Sequence, residues 1–433
     1  NFMAIESVIG HEYFHNWTGN RITCRDWFKL TLKERLTVFR DQEFSSDLND
    51  RTVQRIADVN ALRERQFAED AGPTTHPIKP DSYMEINNFY TSTIYEKGAE
   101  VIRMIYTLLG EEGFRSGMDR YFELYDGQAV TTEDFIFAMS DANSVDLTQF
   151  RESWYRQNGT PKVEVSSIYE DGKLQVTCKQ HILKNQDPFY FPFALGLVNQ
   201  EGNDEELCLE ESADQPFLAR GILILKAQSE TFTFTGLSNE PYLSLNRDFS
   251  APIIVDAPLD NRALSFLMRH DSDSFNRYES GLSYAKNILL EMITALKCGG
   301  NIYIDEEFIE SMGMIIKDDT LPSAIKAMML SLPSGGVLAQ NLVDIEIELI
   351  YEVRDALLHS IAKMHKDSLL SRYKQLNTSD VYTLKGDAIG NRALKNAYLA
   401  LIVECDDTHG LMIAKDGYYN ANNMNDRFSA LTI

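Results

Sequence analysis

The sequence predicts a multidomain α+β protein with three consecutive parts. Apolar residues recur at helical spacing over residues 1–158, alternate with a period of two over residues 159–258, and return to helical spacing over residues 259–433. These three patterns of apolar residues predict a helical first part, a small β-sandwich and a C-terminal α-helical, solenoid-like domain. With 433 residues, 44% of them apolar, the chain can bury several cores, which excludes wholesale disorder.

The first part contains several separate helical patterns. Apolar residues at helical spacing predict a helix over Leu30–Phe39, and the apolar run Val101–Leu109 lies in a longer helix that starts near Glu96. Thr132–Asn143 opens with threonine and acidic residues, which is typical of a helix N-terminus. Loops are expected around Asp70–Pro80.

The sequence of the middle part predicts short strands joined by turns. Asp171-Gly172 is a hairpin signal between two alternating segments. About seven strands in about 100 residues indicate a β-sandwich. The clearest strand segments are Val163–Ser166, Leu174–Cys178, Phe191–Val198, Thr231–Thr235 and Tyr242–Leu245.

The last part shows amphipathic helical stretches separated by short breaks with Gly, Pro or Asp. Successive helices of this kind indicate an α-solenoid or an irregular bundle. The stretches are Phe308–Ile316, Ala324–Leu332, Ile345–Met364 and Ala393–Val403.

Charge and cysteine usage exclude some classes of partner. The chain has 41 Lys and Arg against 65 Asp and Glu, a formal charge of −24, which argues against nucleic acid or an anionic membrane as partner. No apolar run is long enough to predict a membrane span. Five well-separated cysteines without a CxxC pair suggest reduced thiols and a cytoplasmic protein.

The sequence His11-Glu12-Tyr13-Phe14-His15 is an HExxH motif, which is typical of zinc peptidases. Positions i and i+4 share a helix face, so the imidazoles of His11 and His15 can reach one metal ion. Glu34 follows with 18 residues between, and it completes a His₂Glu set of the kind that catalytic zinc sites use. The alternative is that Glu34 pairs with Lys33 or Arg35 on a solvated face.

This ligand set suggests hydrolysis. Zinc activates water and polarises a carbonyl, while Glu12 is expected to act as general base and to return the proton to the leaving amine. A tyrosine hydroxyl could stabilise the developing oxyanion, but the chain has 20 tyrosines, and chemistry alone does not select one.

Three segments together resemble the bacterial aminopeptidase N (alanyl aminopeptidase) family of zinc gluzincins: Gly10–Asn20, Leu32–Phe44 and Asn87–Ala99. The resemblance implies a single Zn²⁺ per chain, with His11, His15 and Glu34 as ligands, Glu12 as general base, Tyr95 as transition-state donor, and Tyr90 and Asn88 lining the substrate site.

The resemblance also implies an architecture and a substrate. The family has an N-terminal β saddle, a thermolysin-like catalytic domain, a small β-sandwich and a C-terminal helical domain. Residues 1–158 would be the C-terminal part of the catalytic domain, residues 159–258 the β-sandwich and residues 259–433 an incomplete helical domain. The chain would therefore be a fragment of a monomeric enzyme that acts on peptides with a free N-terminus.

The sequence departs from the family pattern at two places. The family's Gly-Ala-Met-Glu-Asn segment, whose glutamate binds the substrate's amino group, is absent. The residue after the third ligand is Arg35 where the family has glycine. Arg35 is expected either to pair with Glu34 and weaken metal binding or to point to solvent.

The sequence is also compatible with three other functions. One is a thermolysin-like endopeptidase, and another is an epoxide hydrolase of the leukotriene-hydrolase kind, which uses a similar zinc set. The third is a catalytically inactive fold with an impaired metal site, a possibility raised by Arg35 and by the missing segment.

Overall fold

The computed structural model of the chain describes residues 2–183, 186–210, 215–257, 259–378, 381–405 and 407–433. The chain divides into two compact units, residues 1–258 and residues 259–433. The first unit combines helices with β-sheets, and the second is helical within its described residues. The predicted fold class is confirmed: a helical part, a β-sandwich and a C-terminal helical domain follow one another.

The first part of the first unit is built from helices around one apolar core. Buried side chains of α2 and α5, among them Leu36, Phe39, Ile102 and Ile105, form much of this core. The helices are α1 (Phe2–Phe14), α2 (Leu30–Leu48), α3 (Arg51–Ala61), α4 (Ala68–Ala71), α5 (Gly98–Tyr125), α6 (Thr132–Asn143) and α7 (Thr148–Arg156). Two short strands, β1 (Thr23–Cys24) and β2 (Ala129–Val130), pair in parallel.

Two irregular helical turns interrupt this arrangement. Leu62–Phe67 and Thr93–Lys97 are π-helical, so the helix that was predicted to start near Glu96 begins with a π-helical turn and continues as α5 from Gly98. Turns of this kind are rare, and they occur frequently at functional sites.

The second part of the first unit is a sandwich of a four-stranded and a three-stranded sheet. Asp171 and Gly172 both have positive φ (48° and 74°), as the tight turn of the β3–β4 hairpin requires. The sheet orders are β7-β4-β3-β9 and β6-β5-β8. The strands are β3 (Lys162–Glu170), β4 (Lys173–His181), β5 (Phe191–Val198), β6 (Ile222–Leu225), β7 (Ser229–Phe234), β8 (Tyr242–Leu245) and β9 (Ile254–Asp256).

A buried arginine joins the helical part to the sandwich. The Arg55 guanidinium donates two hydrogen bonds of 2.7 Å to the Glu100 carboxylate. It also donates to the main-chain oxygens of Asp248 and Phe249, at 3.1 and 2.9 Å. Because the charge is fully paired, the bidentate contact can hold this boundary in one geometry.

The second unit consists of helices that pack against one another. Its helices are α8 (Asn261–His270), α9 (Ser274–Lys297), α10 (Glu306–Lys317), α11 (Ser323–Met329), α12 (Gly335–Ala339), α13 (Ile347–Met364), α14 (Lys366–Leu376), α15 (Gly386–Cys405), α16 (Asp407–Asn420) and α17 (Met424–Thr432). Among the described residues, no helix has both the length and the apolar character needed to cross a bilayer.

Candidate metal centre

His11 lies in the last turn of α1, His15 directly follows that helix, and Glu34 lies in the first turns of α2. The backbone N–H of His15 donates to the oxygen of His11 (3.2 Å), so the helical turn holds both imidazoles on one side. The chain then reverses through Gly19, whose φ is 131°. A Cβ at Gly19 would lie 2.6 Å from Cγ of Lys33, so glycine allows the turn to pack against α2.

The three side chains converge on a common point. Nε2 of His11 lies 3.5 Å from Oε2 of Glu34, and Nε2 of His15 lies 3.3 Å from the same oxygen. The two imidazole rings stand perpendicular with centroids 4.7 Å apart. In the part of the chain that the structure describes, these three residues form the only such cluster, with donor atoms within 4.8 Å of one another.

Both imidazoles are oriented through their other nitrogen. Nδ1 of His11 lies 2.7 Å from Oδ2 of Asp41, and Nδ1 of His15 lies 3.1 Å from the main-chain oxygen of Thr18. The hydroxyl of Thr37 also approaches Nδ1 of His15, at 3.2 Å. A proton on Nδ1 satisfies these acceptors and leaves the Nε2 lone pairs free to bind a metal.

The electrostatics of the centre favour a cation. Burial alone would lower the pKa of His11, but its hydrogen bonds to Asp41 and Glu34 raise that pKa to about 9. Burial alone would raise the pKa of Glu34, yet hydrogen bonds with the two histidines and the charge of Lys33 hold that pKa well below its usual range. The carboxylates therefore stabilise positive charge at the point where the three side chains meet.

Glu12 and Tyr95 face the same cleft as His11. The cleft has a volume of about 410 Å³. Glu12 is exposed to solvent along its wall, whereas Tyr95 is partly buried. Burial and the carboxylates of Glu34 and Glu12 raise the pKa of Tyr95 above its usual range, so its hydroxyl keeps its proton and can donate a hydrogen bond. The cleft is lined by Ser7, Val8, His11, Glu12, Val38, Asp41, Tyr90, Thr91, Ser92, Tyr95 and Glu96.

The structure separates the two residues expected to line the substrate site. Tyr90 lies on the cleft wall, and its ring centroid is 6.4 Å from that of Tyr95. The side chain of Asn88 is engaged elsewhere, because its Oδ1 accepts hydrogen bonds from the backbone N–H groups of Met84 (3.3 Å) and Glu85 (3.1 Å). It thereby caps the short 3₁₀ turn Ile86–Phe89.

The expectation for Arg35 is wrong in both of its forms. Arg35 forms no ion pair with Glu34 within the described residues, and it is fully buried rather than solvated. Its guanidinium stacks on the ring of Tyr155 at 4.4 Å and lies 5.7 Å from that of Phe135. The cause is that α2 is buried on nearly all sides, so the residue after Glu34 points into the aromatic core.

Sequence reasoning missed the residues that orient the ligands. Asp41 lies seven residues after Glu34, two turns along the same face of α2, and Thr37 lies between them. That spacing was a usable signal for Asp41. The contact of Thr18 with His15 depends on the turn after α1 and has no periodic signature.

Comparison with known proteins assigns each part of the chain. The pattern of the peptidase family M1 domain matches residues 1–154. A domain of unknown function with an Ig-like fold (DUF3458) matches residues 159–258, and its companion domain with ARM repeats matches residues 261–433.

Curated relatives match the whole chain. Aminopeptidase N of Escherichia coli (strain K12) is 41% identical over 441 residues, which covers 100% of this chain and 50% of that protein. Aminopeptidase N of Haemophilus influenzae is 38% identical, with the same coverage of both. The crystal structure of Legionella pneumophila aminopeptidase A in complex with aspartic acid superposes with a TM-score of 0.84 at 26% identity, covering 98% of this chain and 48% of that one.

The chain spans about half the length of the curated relatives it matches. Its first part carries the M1 pattern, and the similarity extends over both following domains. The chain is thus a homologue of bacterial aminopeptidase N, and its residues 1–154 carry the peptidase family M1 domain.

Proposed function

We propose that this chain carries the zinc centre of a metallo-aminopeptidase, which hydrolyses the N-terminal peptide bond of peptides. The observation that carries the proposal is the convergence of Nε2 of His11 and Nε2 of His15 on Oε2 of Glu34, at 3.5 and 3.3 Å. The names of the relatives support the choice of an aminopeptidase.

The residues present fit zinc. Two imidazole nitrogens and a carboxylate oxygen are the donor set of catalytic zinc sites, and here each imidazole has its remaining nitrogen hydrogen-bonded. His11, His15 and Glu34 would hold one Zn²⁺. When bound, zinc supplies Lewis-acid activation of a peptide carbonyl and of water.

The protein's own groups would move the protons. The Glu12 carboxylate stands on the cleft wall, where it would take a proton from the attacking water and pass it to the leaving amine. The Tyr95 hydroxyl would donate a hydrogen bond to the carbonyl oxygen as negative charge develops there. Tyr90 would contact the substrate from the same wall.

The five free cysteines suit a reducing compartment, so we propose a cytoplasmic location. The expectation of a monomer stays a prediction. A thermolysin-like endopeptidase and an inactive scaffold are the competing functions.

The experiment loads the chain with zinc and compares alanine p-nitroanilide with an N-blocked peptide. Hydrolysis of only the free-amine substrate supports the aminopeptidase. Cleavage of only the blocked peptide would indicate an endopeptidase. Zinc binding without turnover of either substrate would indicate that this length of chain is an inactive scaffold.

A further inference from the structure

Tyr95 lies in the middle of the π-helical turn Thr93–Lys97, directly before α5. The geometry of this turn decides where its hydroxyl points, since a shift of one residue along a helix rotates a side chain by about 100°. The surroundings therefore have to hold the turn in its unusual form.

The first end of the turn is held by Glu69, which lies on α4. Oε2 of Glu69 accepts hydrogen bonds from the backbone N–H of Thr93 at 3.0 Å and from its hydroxyl at 3.1 Å. His76 supports the same end, with Nε2 lying 2.9 Å from the hydroxyl of Thr91 and 3.7 Å from Oε1 of Glu69. Thr93 is fully buried, and the side chains of Glu69 and His76 are mostly buried, so water has limited access to these contacts.

The second end of the turn is held by Asp70, the next residue on α4. The ammonium of Lys97 donates to Oδ2 of Asp70 and to the main-chain oxygen of Gly159, both at 2.9 Å. The hydroxyl of Thr160 donates to the same Oδ2 at 2.9 Å. The side chains of Lys97 and Asp70 are 1% and 2% exposed, so this ion pair lies in the interior.

We propose that Glu69 and Asp70, the acidic pair, are positioning residues for Tyr95. They hold both ends of its π-helical turn against α4, and Lys97 neutralises the buried charge. The contact of Lys97 with Gly159 also links the turn to the chain segment that enters the β-sandwich. This inference rests on the proposed role of Tyr95 as a hydrogen-bond donor in hydrolysis.

The acidic pair affects the position of the Tyr95 hydroxyl rather than substrate affinity. Replacing Asp70 by asparagine leaves the ammonium of Lys97 buried without its counter-charge, which favours a rearrangement of the turn. Replacing Glu69 by glutamine keeps the ion pair of Lys97 with Asp70 and weakens the contacts of Glu69 with Thr93 and His76. A displacement of about 1 Å in a catalytic group costs roughly 100-fold in rate.

The test measures kcat and KM for alanine p-nitroanilide in Asp70→Asn and Glu69→Gln, together with zinc content and thermal melting. The matched control is Glu64→Gln, an exposed glutamate on the preceding π-helical turn. We expect kcat to fall by about 100-fold in Asp70→Asn and by less in Glu69→Gln, with KM changed less than about twofold. Zinc content should stay as in the control.

A second readout does not depend on turnover. A 3-fluorotyrosine at position 95 gives a ¹⁹F signal, which we expect to shift or broaden in both variants and to stay unchanged in Glu64→Gln. Asp70→Asn leaves a buried charge unpaired, so this variant can misfold. Glu69→Gln leaves that ion pair intact, so it tests the proposal even if Asp70→Asn does not fold.

The Tyr95→Phe variant distinguishes the proposed role of Tyr95 in hydrolysis from the proposed role of the acidic pair in positioning it. The proposed role of Tyr95 fails if Tyr95→Phe does not lower kcat, or if the chain has no turnover. In that case the ¹⁹F signal alone tests whether the acidic pair positions Tyr95. If Tyr95→Phe lowers kcat while the folded, zinc-loaded variants of Glu69 and Asp70 keep the rate and ¹⁹F signal of the control, the acidic pair does not position Tyr95.

Discussion

Oδ2 of Asp41 lies 2.7 Å from Nδ1 of His11, and this contact turns Nε2 of the imidazole toward Glu34. Both residues lie on the wall of the candidate active-site cleft, and they come from the two helices that meet there. A carboxylate behind a metal-binding histidine fixes its tautomer and increases its basicity.

Asp41→Asn should therefore weaken zinc binding by roughly 10–100-fold. The asparagine amide can still accept a hydrogen bond from His11. Without a negative charge, however, it no longer makes the His11 imidazole a stronger donor to the metal. Competition with a chromogenic chelator measures the affinity. Asp47→Asn, on the exposed side of the same helix, is the control; equal affinities in the two variants would show that Asp41 has no such role.

Glu12→Gln should abolish most of the hydrolytic activity while zinc affinity stays the same. Glu12 lies on the cleft wall but outside the cluster of three ligands, so its loss removes a proton acceptor and leaves the donor set intact. We expect kcat to fall by about 10²–10⁴-fold in a steady-state assay. Glu6→Gln on the same helix serves as control, and a kcat within twofold of that control would rule out Glu12 as general base.

Arg35→Met should stabilise the protein and leave zinc affinity unchanged. Arg35 is fully buried, and none of its three guanidinium nitrogens reaches a hydrogen-bond acceptor among the described residues. Its contact with Tyr155 offsets only part of the cost of burying the charge. Denaturant unfolding should show a gain of about 1–3 kcal/mol, and a loss of stability would indicate an acceptor for the guanidinium.

Asp58→Asn should make stability less dependent on pH. Burial raises the pKa of Asp58 to about 7, against the opposing charges of Arg103 and Arg55, and its Oδ2 has no hydrogen-bond partner among the described residues. A carboxyl whose folded-state pKa is raised contributes stability below pH 4 that is lost as the pH rises through 7.

The variant should therefore match the wild type near pH 4 and exceed it by on the order of 4 kcal/mol at pH 8. Urea unfolding at several pH values measures this difference. A difference that does not grow with pH would contradict the raised pKa.

The architecture was largely readable from the sequence because helices and strands leave different periodicities. The helix Thr132–Asn143 and the strands Phe191–Val198 and Tyr242–Leu245 were predicted with the bounds that the structure has. The helix predicted over Leu30–Phe39 extends to Leu48, and Asp41 lies in the part that was not foreseen.

Contacts between distant segments were not readable in this way. Glu69 and Asp70 lie 24 and 27 residues from the groups they hold, and the sequence predicted only loops near Asp70. The burial of Arg35 follows from the packing of α6 and α7 against α2. Its charge alone would predict an exposed side chain. Such features depend on tertiary packing and leave no local pattern.

The most direct test of the central claim is the zinc stoichiometry and affinity of the chelator-treated chain and of its Glu34→Ala variant. We predict one zinc per chain in the wild type and, in the variant, a loss of affinity greater than the roughly 10–100-fold expected for Asp41→Asn. A wild-type chain that binds no zinc, or a variant that binds zinc as tightly as the wild type, would contradict the assignment of His11, His15 and Glu34 as one metal site.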